Sequence, residues 1–206
     1  MRRAIILIGV AVALAALGCV LYMRIAFVNA NAISIPEDRY SMGDEVALNG
    51  AFMTKANEGT DHYLVKVQGA RKVSYNEYVS AYGVDGAQPI DGYDAKSVLD
   101  VEMEITNEGS DAGGLNAWEF VLIPESGNVY YIPSATLWAQ SEPNLPPETG
   151  LITISPRTSH VVHIPFVQNE GFTDDTRFLS EIGGTSLTLR VADAPVSKVV
   201  VFNVDS

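Results

Sequence analysis

Cysteine is nearly missing from this chain of 206 residues: the one example, Cys19, lies inside an apolar run near the N-terminus. The remainder therefore has no disulfide, no thiol chemistry and no zinc–thiolate site, and its own core must hold it together. Basic residues are scarce too. There are 13 Lys and Arg against 25 Asp and Glu, a net charge of −12. All the acids lie from Glu37 onward, and Arg2, Arg3 and Arg24 lie before it, so the later region carries 10 − 25 = −15. Such a surface disfavours nucleic acid and anionic lipid and favours solubility. No N-x-Ser/Thr sequon occurs, so nothing suggests eukaryotic N-glycosylation. Gly-x-Ser-x-Gly, P-loop, Gly-x-Gly-x-x-Gly and His-Glu-x-x-His patterns are all missing, which leaves hydrolase, nucleotide and dinucleotide chemistry without support. No catalytic residue, cofactor or metal site is expected, and the sequence reads as non-enzymatic.

The residues that are present begin with Ala4–Met23, AIILIGVAVALAALGCVLYM, twenty positions without a charge. At about 1.5 Å per residue these span roughly 30 Å, the thickness of a bilayer's hydrocarbon core. Three readings stay open. An uncleaved signal-anchor fits the length of the run and the flanking Arg2 and Arg3, which hold the N-terminus in the cytoplasm. A cleaved signal peptide would use Ala30-Asn31-Ala32. A lipoprotein would be lipidated at Cys19, where Gly18 fits but Ala16, Leu17 and the apolar residues after the cysteine do not. All three export the C-terminal remainder of the chain. The expected layout is a cytoplasmic N-terminus and transmembrane anchor over 1–24, a stalk over 25–39 and an extracytoplasmic domain over 40–206.

That domain reads as strands. His62–Val67 places Tyr63, Val65 and Val67 on one face. In Val98–Thr106, Leu99, Val101, Met103 and Ile105 alternate with Asp100, Glu102, Glu104 and Thr106, so one face is apolar and the other acidic. Trp118, Phe120 and Leu122 alternate next, Glu125–Asn128 gives a hairpin signal, and Leu151–Ile154, Ser159–Val167, Ser186–Val191 and Lys198–Val204 complete the set. Tyr75, Tyr78 and Tyr82 have the spacing of a helix face, so a short helix is expected over Ser74–Tyr82. Gly83–Lys96, Ser141–Gly150 and Asn169–Gly184 read as loops, the last with a short helix near Thr176–Ile182. Many short strands without a long amphipathic helix predict an all-β, antiparallel, immunoglobulin-like sandwich with one N-terminal transmembrane helix.

The run VLDVEMEITNEGSDAGG, then AWEFVLIPESGNVYYIP, ISPRTSHVVHIPF and a closing pair of strands, resembles the telokin-like immunoglobulin-fold domains of unknown function. Those domains sit on signal peptides, lipoprotein anchors or single membrane helices in Gram-positive bacteria. Three elements carry the resemblance: the acidic-faced strand ending in Thr106-Asn107, the Gly127-Asn128 turn before Tyr130, and the Ser155-Pro156 turn before the strand ending Ile164-Pro165-Phe166. It covers about Val98–Val204, so 97–206 is the family-like core and 40–96 holds N-terminal strands and an irregular extension. The resemblance implies a β-sandwich at the cell surface and supplies no catalytic residues.

Several side-chain groupings suggest chemistry, and each has a plain structural role beside it. His160 and His163 lie on a strand, where odd spacing sends the two rings to opposite faces and denies them a shared metal. The acids Asp85, Asp91 and Asp94, then Glu108 and Asp111, then Asp174 and Asp175, match no calcium-loop pattern. Asp100, Glu102 and Glu104 read as a solvated outer face with a weak capacity for acid–base work. Leu145–Gly150 has one residue too many for a sortase signal and is internal. The aromatic, irregular Tyr75–Tyr93 stretch is the favoured ligand surface, through Tyr75, Tyr78, Tyr82 and Tyr93. The expected partners are the membrane, through Ala4–Met23, and a protein or cell-envelope ligand. The alternatives are a metal-dependent envelope enzyme and a substrate-binding lipoprotein.

Overall fold

A computed structural model describes residues 2–31, 34–54, 58–84, 87, 97–125, 130–142, 151–168 and 186–204. The chain divides into two units, Met1–Ser34 and Ile35–Ser206. The first contains helix α1, Arg2–Ala30. Its apolar side chains occur on every side instead of in one stripe, and Leu14, Leu17, Tyr22 and Phe27 are all exposed. By length and composition it can cross a membrane, with Val12–Ala30 the qualifying span among the described residues. Residues 25–39 are not a uniform stalk. The helix continues to Ala30, because Ile25–Val28 prolong the apolar run and no Pro or Gly interrupts it, and strand β1 already begins at Glu37.

The second unit is mostly β, as expected. Its strands are β1 (Glu37–Ser41), β2 (Val46–Ala47), β3 (Tyr63–Ser74), β4 (Ser97–Asn107), β5 (Leu115–Asn116), β6 (Val121–Pro124), β7 (Tyr131–Pro133), β8 (Leu151–Ile152), β9 (Thr158–Gln168), β10 (Ser186–Ala192) and β11 (Ser197–Asn203). Two short helices join them, α2 (Tyr75–Tyr82) and α3 (Ala135–Ser141). Among the described residues, nine strands form one sheet in the order β1-β11-β10-β6-β7-β9-β4-β3-β2, and β5 pairs with β8 apart from it. The sheet is nearly barrel-shaped. Its edge strands β1 and β2 are consecutive in the chain, Lys198 Nζ on β11 donates to the Ala47 carbonyl on β2, and Phe52 bridges Ala194 just before β11. An entirely antiparallel arrangement is not what forms. β1 runs parallel to β11, entering the sheet where the Pro36 carbonyl accepts from the Ser197 amide.

The interior obeys the alternation. Leu99, Val101, Met103 and Ile105 on β4 are buried with Val65, Val67, Val162, Ile164, Leu122, Leu189 and Val200 from its neighbours. Each such side chain contributes roughly 1.5–3 kcal/mol through lost apolar exposure. β3 is twice as long as its sequence pattern suggests. A bulge between Val67 and Gly69 shifts the phase, so Ala70 faces inward where unbroken alternation would place Gly69.

The end of β4 is fixed by Asn107, a buried carboxamide. Its Nδ2 donates to the carbonyls of Ser110 (2.8 Å) and Ile154 (2.7 Å), and its Oδ1 accepts from the amides of Gly109 (3.0 Å) and Ser110 (2.7 Å). Beside this loop Gly113, at φ +89°, sits so close to Gly59 that a Cβ would lie 2.2 Å from the Gly59 carbonyl oxygen. Gly113→Ala is therefore expected to lower stability by roughly 2–3 kcal/mol in denaturant titrations. Gly109→Ala, which meets open space, should stay within about 0.5 kcal/mol.

Candidate functional site

Register assembles the site from three strands. Outward-facing Arg71 on β3 is the direct cross-strand partner of Asp100 on β4. His163 on β9 is aligned with Glu102, which makes Asp100 its diagonal neighbour on the same face. One step further along, outward-facing Val73 and Val98 are covered by α2 and α3 in a second small core with Tyr75, Tyr78, Val79 and Leu137. That cover buries Asp100 at its margin.

Helix α2 starts where the sequence provides a capping box. The Ser74 hydroxyl accepts from the Glu77 amide, and the Glu77 carboxylate accepts from the Ser74 amide at 2.6 Å. The Ser74 amide first, and then the Ser74 side chain, hold the Glu77 carboxyl below its ordinary value of 4.5. From this start Tyr78 and Tyr82 come to lie one turn apart over the sheet, with their rings edge to face at 5.2 Å.

Asp100 is 2 % exposed, and both its oxygens are engaged. Oδ2 accepts from Arg71 Nε and Oδ1 contacts His163 Nδ1, each at 3.1 Å. The imidazole stacks on the Tyr82 ring, with centroids 3.8 Å apart and planes 16° from parallel. Arg71 Nη2 donates to the Tyr82 hydroxyl at 2.5 Å. Beneath, the Tyr78 hydroxyl donates to the His163 carbonyl at 2.5 Å. Burial, followed by the charge of Asp100, raises the Tyr82 phenol above its usual range, and the hydrogen bond to Tyr82 leads the causes that keep Arg71 protonated. Burial pushes Tyr78 up much further. The Arg71 and His163 side chains remain 52 % and 24 % exposed. The result is a cation and an oriented imidazole facing solvent, both held from behind by one buried carboxylate.

The expected tyrosine surface is only partly formed. Tyr75 and Tyr78 are core residues, because α2 turns them onto Val73, Val98 and Leu137. Tyr82 is half-buried and belongs to the site, whereas Tyr93 lies outside the described residues. Asp100 is not part of a solvated acidic face, since α2 covers it. Glu104 fits that description better, accepting from Gln68 Nε2 at 2.9 Å. His160 and His163 are not brought together: His160 Nε2 lies 3.5 Å from Glu142. Among the described residues no three His, Cys, Asp or Glu side chains converge on a metal position. Glu108 and Asp111 are exposed, while Asp85, Asp91, Asp94, Asp174 and Asp175, the Leu145–Gly150 motif, the Gly127-Asn128 turn and the short helix expected near Thr176–Ile182 fall outside the described residues. Of the site, residue-by-residue reading singles out Tyr82. It gives Asp100 and His163 plain roles and passes over Arg71, whose only signal is its place just before a capping box.

A separate shallow groove of about 360 Å³ crosses the outer face of β1, β11, β10 and β6, lined by Glu37, Arg39, Thr188, Arg190, Val199 and Val201. Its charges alternate in sign and no buried group organises them.

Asp100→Ala should cost roughly 2–3 kcal/mol, limited by the exposure of Arg71, and should speed hydrogen exchange in α2. Unchanged α2 protection would exclude Asp100 as the group that docks this helix. Glu77 yields a pH prediction. A carboxyl held below its unfolded value stabilises above pH 4.5, and that contribution disappears as pH falls through the lower folded value. Glu77→Gln should therefore lower the thermal midpoint at pH 7, and the difference should shrink as the pH is taken below 4.5.

No curated protein sequence matches the chain. Its structure is similar to that of an uncharacterized β-sandwich protein from Clostridium difficile 630, with 12 % identity over 84 % of this chain and 99 % of that one and a TM-score of 0.38. The family model described as a domain of unknown function, DUF5028, matches residues 37–198, most of the β unit, and the chain belongs to that family.

Proposed function

We propose that this is a single-pass membrane protein with a cytoplasmic N-terminus, whose β domain lies outside the membrane and binds a protein or envelope component without catalysing a reaction. The finer kinship is proposed with immunoglobulin-like sandwich domains carried on the surface of Gram-positive bacteria. One observation carries the binding reading. A carboxylate only 2 % exposed is committed to orienting Arg71 and His163, and both of those side chains stay partly open to solvent. Burying a charge is costly even when it is paired, so an arrangement of this kind at a surface suggests recognition. Arg2 and Arg3 before an acid-free apolar helix support the orientation. A retained anchor is favoured because the apolar helix extends to Ala30, past the cysteine, without a polar break at Val20–Met23.

A second reading has its own observation. Asp100 contacts Nδ1 of His163 and leaves Nε2 without a partner among the described residues, which is the acid–base half of a catalytic site. No nucleophile faces that nitrogen among the described residues, so binding remains the preferred conclusion.

Photocrosslinking on intact cells tests the binding face. A photoreactive residue in place of exposed Val161, two positions from His163, should give a heavier adduct, and one in place of Thr188 in the separate groove should not. Arg71→Ala combined with Tyr82→Ala should reduce the Val161 adduct about tenfold, equivalent to about 1.4 kcal/mol. An adduct insensitive to both changes would remove this face from consideration. External protease should release the β domain from intact cells, and alkaline washing should leave the chain in the membrane pellet. Recovery of the full chain in the wash would end the tether reading.

A further inference from the structure

The Arg71 guanidinium is held through two of its nitrogens. Nε donates to Asp100 Oδ2 at 3.1 Å, and Nη2 donates to the Tyr82 hydroxyl at 2.5 Å. The charge of Asp100 also reaches that hydroxyl, so both acceptors stand on one side of the guanidinium. Covalent geometry makes Nε–H parallel to one N–H of Nη2, and these two form the edge that the acceptors occupy. The remaining donors lie along the other edge, between Nη1 and Nη2. Among the described residues no other acid pairs with Arg71, and its side chain is 52 % exposed. An unused guanidinium edge is a planar fork of parallel donors, which fits the two oxygens of a carboxylate.

The surroundings select among anions. Glu102 and Glu104 share the outward face of β4 with Asp100, and all 25 acids of the chain lie from Glu37 onward. A polyanion or a doubly charged phosphate is repelled by such a region more than a single carboxylate is. The Tyr82 ring is flanked by the His163 imidazole at 3.8 Å, the Tyr78 ring at 5.2 Å and the Arg71 guanidinium at 5.6 Å, so it is engaged within the site instead of being offered to a sugar. Val161, two residues before His163 on β9, is 40 % exposed and gives the site an apolar margin that suits an amino-acid side chain.

We propose that the free edge of Arg71 takes the carboxylate of a peptide, with His163 beside it. The inference rests on reading this face as a binding surface. An ionised carboxylate only accepts hydrogen bonds, so the His163 nitrogen facing Asp100, Nδ1, carries the hydrogen and Nε2 of the neutral ring is left as an acceptor. A peptide supplies both complements, an oxyanion for the fork and an N–H for the imidazole. Asp100 fixes the two groups before a ligand arrives, which limits the ordering cost of binding.

Histidine NMR on the full chain in zwitterionic detergent micelles at pH 7 tests this, because the chain has three histidines and His62 and His160 serve as internal references. N-acetylglycine should move the His163 ring resonances saturably. N-acetylglycinamide, the same frame without the charge, should bind at least about tenfold more weakly. Glucuronate and inorganic phosphate should each bind more weakly than N-acetylglycine. Arg71→Lys keeps a cation but loses the fork, and should weaken N-acetylglycine about tenfold. An unmoved His163, equal binding of the amide, tighter binding of glucuronate or phosphate, or undiminished affinity in Arg71→Lys would overturn the proposal. Should Arg71→Lys fail to fold, the comparison of acid with amide on the native chain still decides. These probes need no cellular partner. A Val161 adduct that depends on Arg71 and Tyr82 while no probe binds would keep the binding face and remove the carboxylate as its ligand. An insensitive adduct with N-acetylglycine bound would remove the cellular partner and keep the carboxylate site.

Discussion

Strand β4 carries two buried polar side chains, Asp100 near one end and Asn107 at the other, and the β unit depends on their being satisfied. A carboxylate or carboxamide removed from water destabilises the fold unless its hydrogen bonds are replaced. Asn107 meets that demand with four short bonds to backbone groups of two loops, which fixes where the chain turns after β4 and where it approaches β9. Asp100 meets it with side chains from the two flanking strands. The distinction has functional weight. Backbone partners make a closed structural joint, whereas Arg71 and His163 each have a second side that the carboxylate does not use.

The parts of this architecture that are legible in the sequence are those written in local pattern. The strand 98–106 and the helix at 74–82 declare themselves by period, and the N-terminal helix by an unbroken apolar run. The site does not, because it is a property of register. Residues 71, 100 and 163 meet only once β3, β4 and β9 are aligned, and nothing local specifies that alignment. The bulge at Val67–Gly69 hides the second half of β3, since it breaks the alternation on which a strand is recognised. Tyr75 and Tyr78 mislead for a related reason. Aromatic residues in an irregular, polar stretch suggest a surface, but here a two-turn helix folds them onto outward-facing Val73 and Val98 and makes a core where a strand would have had a solvent face.

A nearly closed sheet needs its edges managed, because an open edge is a template for unwanted pairing. β1 is short and carries Glu37, Asp38 and Arg39, with Glu37 and Arg39 paired at 2.8 Å. At the other edge β2 is only two residues long. Lys198 completes the join: its stem is buried and its ammonium donates to the Ala47 carbonyl. A lysine in that place supplies reach as well as charge, since the long side chain crosses between strands that do not share a ladder.

The scarcity of cysteine bears on this closure. A disulfide would tie β1 to the sheet covalently. Without one, β1 is held by its backbone ladder to β11 and by Tyr40 packed against the core. An antiparallel β1 of the same length would satisfy the same backbone groups and place the same Tyr40 against the core, so static stability gives little reason to prefer either direction. The parallel direction therefore follows from where the chain enters the sheet, with the Pro36 carbonyl accepting from the Ser197 amide at the start of β11, and not from the bonds that β1 makes.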